Sequence, residues 1–112
     1  MRDFVLRLAS MKLAELEFTV HVEDYELGDS EFEKHSLKGL KKALRNLSER
    51  DTRKLVKVGE KRWGDEIVYV VKIQDAFDMG GGRVEWEDLL RYKIIKPENM
   101  SKQIFLNLMR VL

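Results

Sequence analysis

Between residues 13 and 23 the chain alternates apolar and polar side chains: Leu16, Phe18, Val20 and Val22 are separated by Glu17, Thr19, His21 and Glu23. Wound into a helix, these residues would scatter around the axis. Extended, they put four apolar groups on one face and polar groups on the other. Whatever else it does, the chain has to build a sheet and cover one side of it.

Other segments extend that sheet. Residues 53–62, with Leu55, Val56 and Val58, read as a second strand, and Arg62-Trp63-Gly64-Asp65 as a hairpin turn. Residues 66–74 then return as a third strand, apolar on both faces until Lys72, which marks it as the central strand. Ser30-Glu31-Phe32-Glu33 has the form of a capping box opening a helix over 31–49, with Leu37, Leu40, Leu44 and Leu47 as one stripe. The stretch from Asp75 to Arg83, with Gly80, Gly81 and Gly82 consecutive, is expected to be a mobile loop. Trp86, Leu89 and Leu90 suggest a short helix and Tyr92–Ile95 a fourth strand. Pro97 suits the first turn of a helix over 98–111. Residues 3–9 fit a strand or a short helix equally. The expected fold is therefore α+β: a three- or four-stranded, mainly antiparallel sheet with two or three helices mostly on one face, in the order β-α-β-β-α-(β)-α.

The 112 residues suit a single domain, 1–112. An apolar share of 44% beside a charged share of 37% argues against both a disordered and a membrane chain. Asp3 and Arg7 interrupt any signal-peptide core, and no apolar run could span a bilayer, so the expected address is cytoplasmic without a membrane partner. With no cysteine, disulfides and thiolate zinc sites are excluded. Few amides and abundant Lys, Arg and Glu point toward a thermophile.

The net charge of +1 conceals a segregated layout. Residues 13–33 hold eight acids and no Lys or Arg, whereas residues 34–62 hold eleven bases against Glu49, Asp51 and Glu60. On the expected helix, Lys34, Lys38, Lys41 and Arg45 fall within about 60° at 100° per residue. Lys61, Arg62 and Trp63 extend the basic character to a hairpin tip carrying an aromatic. Such a ridge could neutralise phosphates while Trp63 stacks on a base; it could equally be a solvated face, or meet acids of a second copy.

Catalytic motifs are missing. Residues 77–89 follow the spacing of a calcium-binding loop at Gly82, Val84 and Asp88, but Phe77, Met79 and Gly81 supply no side-chain oxygen where ligands belong. The glycine run lacks the spacing of a nucleotide loop. Asp75, Asp78, Glu85, Glu87 and Asp88, with Lys72, raise a metal-dependent phosphodiesterase or nuclease using region 75–88, although Val70 stands where its acid would precede the lysine. His21 and His35 belong to no recognisable triad.

The last helix carries more apolar surface than one stripe requires, and Ile104, Phe105, Leu108, Met109 and Leu112 form an expected homodimer interface. The reading is a small non-enzymatic interaction module, dimeric and without cofactor, engaging nucleic acid first or an acidic protein second.

Overall fold

A computed structural model of the chain describes residues 16–50 and 52–112. The strand-or-helix alternative for residues 3–9, and the first three residues of the alternating segment, lie outside them. In chain order the elements are β1 (Glu17–Asp24), β2 (Asp29–Ser36), α1 (Leu37–Ser48), β3 (Arg53–Trp63), β4 (Glu66–Gly80), β5 (Arg83–Ile95) and α2 (Lys102–Met109). The five strands form one sheet in the order β2-β1-β5-β4-β3, every pair antiparallel. This corrects the expected α+β arrangement. The fold is β-rich, with five antiparallel strands and two short helices among the described residues.

Two departures account for the difference. The segment read as a capping box is strand β2, because Asp24 closes a tight turn just ahead of it. The Asp24 Oδ1 accepts the Glu26 and Leu27 N–H groups, each at 3.0 Å, and the Gly28 N–H donates to the Asp24 carbonyl at 2.8 Å. Gly28 takes φ +73°, a conformation that costs glycine little. The true N-cap is Ser36, whose Oγ accepts the Gly39 N–H at 3.0 Å. From there the leucine stripe behaves as expected: Leu40 and Leu44 are buried, and Leu37 and Leu47 pack against the core.

The second departure is the segment around Trp86, which is strand. Asp88 pairs with Gln74 and Leu90 with Ile73, so Leu89 is an extra residue that sends Asp88 and Leu90 to opposite faces. The resulting Trp86, Leu89, Leu90 spacing imitates a helix. The glycine run, expected as a mobile loop, is instead the turn of a long hairpin, with β4 paired as far as Gly80 opposite Arg83. The turn at Arg62–Asp65 forms as expected between β3 and β4. β4 lies inside the sheet, with Val68, Val70, Val71 and Ile73 all buried on its two faces, while the middle position belongs to β5.

Both helices cover one face. Phe18, Val20 and Val22 of β1, Tyr92 and Ile94 of β5, and Val71 and Ile73 of β4 meet Leu40 and Leu44 of α1 and Phe105 and Met109 of α2. Phe18 and Phe105 lie with ring centroids 6.2 Å apart. The side chains of Phe105 and Met109, expected at a dimer interface, are wholly buried in the chain's own core, and Ile104, Leu108 and Leu112 are partly buried against it. No helix among the described residues is long and apolar enough to cross a membrane.

Candidate nucleic-acid interface

The strand registers place a second set of residues on the face opposite the helices. One row crosses all five strands: Phe32 pairs with His21, His21 with Lys93, Lys93 with Val70 and Val70 with Gly59. Because side chains alternate along a strand, Lys34 and Ser30 flank Phe32 on this face, Thr19 and Glu23 flank His21, and Arg91 flanks Lys93. Lys72 follows Val70, and Lys61 and Trp63 follow Gly59.

Trp63 belongs to a strand three places from β1 in the sheet, yet its ring centroid lies 4.8 Å from that of His21. The β3 bulge supplies the bend. Lys57 pairs with Val71 and Gly59 with Val70, leaving Val58 without a partner, and Gly59 takes φ +109°. A bulge strengthens the local right-handed twist, so the β3–β4 tip coils over the opposite face. There Phe32 and Trp63 stack with an interplanar angle of 21° at 6.2 Å, and Phe32 and His21 lie 4.9 Å apart. Phe32 remains 63% exposed.

Charge is threaded through these rings. The Lys93 Nζ sits 4.5 Å from the Trp63 centroid and 2.7 Å from Glu23 Oε1. That hydrogen bond, outweighing the cost of burial, holds the Glu23 carboxyl below its usual range. Lys72 donates to Asp88 at 2.8 Å and Gln74 donates to the other Asp88 oxygen at 2.8 Å. Burial disfavours the Asp88 carboxylate, but these two donors and the Lys72 and Arg91 charges overcome it and lower its pKa. Lys34 and Lys61 are exposed and have no ion-pair partner among the described residues. His21 Nδ1 and Arg91 Nε are buried without a hydrogen-bond partner among the described residues.

The basic ridge anticipated from sequence is thus divided. Lys34, Lys61 and Trp63 share the opposite face. Lys38, Lys41 and Arg45 are exposed on α1 across the sheet, and Arg62, paired with Ile67, points to the helix side. Lys34 lies on β2 and not on the helix, because the capping box expected ahead of it does not form. Phe32, His21, Lys93 and Arg91 escape a reading of the sequence, because strand pairing over sixty residues brings them together. The only local signal is the alternation around His21.

The acidic region 75–88 does not converge. Asp88 is taken up by Lys72 and Gln74, Asp78 accepts the Gly80 N–H at 2.8 Å, and Asp75 accepts the Ala76 N–H at 3.1 Å. Among the described residues no three His, Asp or Glu side chains are grouped to hold a metal ion. No protein-family model, curated protein or solved structure matches the chain significantly.

Proposed function

We propose that the chain is a non-enzymatic binding module that receives single-stranded nucleic acid on the sheet face opposite its helices. The observation that carries this reading is the exposed Phe32 ring, stacked beside Trp63 and bordered by Lys34 and Lys61, which have no ion-pair partner among the described residues. Single strands are held by aromatic platforms on which bases stack and by cations that follow the backbone. Here Phe32 and Trp63 meet over His21, with Lys34 on one edge strand and Lys61 on the other. Lys93 is held against Trp63 by Glu23, so it organises the platform instead of contacting phosphate. A duplex keeps its bases stacked internally and would gain only the phosphate contacts.

A mobility-shift titration with single- and double-stranded oligonucleotides of one sequence, at low and moderate salt, tests this. Single strands are expected to bind more tightly than duplex, with affinity falling as salt rises because bound phosphates release counterions. Lys34→Ala combined with Lys61→Ala should flatten the salt dependence, by about 0.7 in log–log slope for each phosphate that is no longer neutralised. Absence of any shift at low salt overturns the proposal.

A further inference from the structure

Beyond Asp75 the β4–β5 hairpin leaves the sheet. The last β3 partner of β4 is Arg53 opposite Asp75, and the last β1 partner of β5 is Asp24 opposite Leu90. Residues 76–88 therefore form a two-stranded arm, reaching roughly 17 Å at 3.4 Å per residue. A lone ribbon of this kind is marginally stable in water. This one nevertheless exposes Phe77 (46%), Met79 (56%), Val84 (54%) and Trp86 (40%). Lys54 covers part of the Trp86 ring at 4.0 Å, but Phe77 and Met79 are left about half exposed.

The same side of the arm is acidic. Glu85 pairs with Phe77 and Glu87 with Asp75, so Phe77, Met79, Glu85, Glu87 and Asp75 share the side on which the helices lie. At the arm's base a recess lined by Tyr25, Glu26, Asp75, Phe77 and Glu87 combines aromatic walls with a carboxylate rim. That chemistry accepts a long basic side chain, whose methylene stem packs on the rings while its head meets the carboxylates. The chain carries the complement itself. On α1, Lys38, Lys41, Lys42 and Arg45 are exposed, and none has an ion-pair partner among the described residues.

We propose that the arm's occupant is a second copy of this chain: residues 76–88 of each protomer lie across helix α1 of the other. The arm continues the sheet beyond its end, and its face bearing Phe77, Met79, Glu85 and Glu87 looks the same way as α1, so two copies laid face to face and antiparallel bring each arm over the other's helix at once. The contact is then made twice around a twofold axis and closes, as homodimer interfaces do. Charge selects the partner surface, since an arm against an arm would set acid on acid and a helix against a helix base on base. The contact lies on the face away from Phe32 and Trp63, so it stands or falls independently of nucleic-acid binding.

A charge exchange followed by sedimentation tests it. The wild type should sediment as a dimer at micromolar concentration in about 0.05 M salt and shift toward monomer in about 0.5 M, where screening is nearly complete beyond 4–5 Å. Glu85→Lys with Glu87→Lys makes both surfaces of one variant basic; Lys38→Glu, Lys41→Glu and Lys42→Glu together, leaving Arg45 as the one base of α1, make both surfaces of the other acidic. Each should be monomeric alone with an unchanged circular dichroism spectrum. Mixed in equal amounts they should regain the dimer, because every arm then meets a helix of opposite sign. Phe77→Ser with Met79→Ser, at exposed positions, should also give a monomer. A monomeric wild type, dimeric single variants, or a mixture that stays monomeric overturns the proposal.

Discussion

The Lys93 ammonium lies 4.5 Å from the centre of the Trp63 ring, although the two residues sit on strands separated by β4. The contact exists because the β3–β4 tip is coiled over the sheet, and the coil depends on the bulge at Val58 and on Gly59. A methyl group at Gly59 would meet open space, so its cost is conformational, arising from φ +109°. Gly59→Ala is expected to destabilise the fold by about 1–3 kcal/mol. It should also shift Trp63 emission to the red as the ring leaves His21 and Lys93. Urea unfolding followed by fluorescence in a Trp86→Phe background reads both effects.

Alkaline stability turns on Tyr92. Burial pushes its hydroxyl up to about 12, with the Glu33 and Glu31 charges adding to the effect. An unfolded tyrosine ionises near 10. Between those values the unfolded chain gives up the proton and the folded chain keeps it. Stability should therefore hold below about pH 10 and fall as pH climbs toward 12, by up to about 1.4 kcal/mol per pH unit from this residue. Unfolding curves at several alkaline pH values should show the slope, and Tyr92→Phe should lose this residue's share of it.

At the acid end the sign reverses. Glu23, held by its hydrogen bond from Lys93, and Asp88, held by Lys72 and Gln74, both have lowered pKa values in the folded chain. Their contribution is present above the unfolded carboxylate range near 4 and disappears as pH falls through the folded values. Asp88→Asn should make the acid limb of a stability–pH profile shallower. An unchanged limb would show that the Lys72–Asp88 contact adds nothing to folding.

In the core, Phe105 is fully buried and meets Phe18 at 6.2 Å. Phe105→Ala should cost about 3–5 kcal/mol, the range for emptying a buried aromatic site. Chemical denaturation measures it, and a loss below about 1 kcal/mol would contradict the placement of α2 against β1.

Local elements are legible where local residues encode them. The alternation of Phe18, Val20 and Val22, the stripe of Leu37, Leu40, Leu44 and Leu47, and the turn at Gly64 are of this kind. β2 is unreadable for the opposite reason. As an edge strand it carries one apolar residue, Phe32, amid acids that mimic a helix start. Bulges hide two further features. Leu89 breaks the period of β5, and Val58 redirects β3, so neither the β5 strand around Trp86 nor the position of Trp63 follows from periodicity. The three glycines resemble a loop because a hairpin turn and a flexible segment use the same residues. The candidate site is half legible: charge and aromaticity single out Lys34, Lys61 and Trp63. Their separation from Lys38, Lys41 and Arg45 is a consequence of strand register alone.

Trp63, lying on the proposed surface, reports directly on what binds there. In the Trp86→Phe protein, Trp63 is the sole tryptophan, and a single-stranded oligonucleotide is titrated in at about 0.05 M and about 0.2 M salt. Stacking near the Phe32–Trp63 pair should quench Trp63 emission to saturation, with weaker binding at the higher salt. Adding Phe32→Ala, at an exposed position that leaves the core intact, should raise Kd about tenfold or more, the worth of one base stack. Trp63 emission that stays constant at low salt, or binding indifferent to Phe32→Ala, would contradict the assignment of this face to nucleic acid.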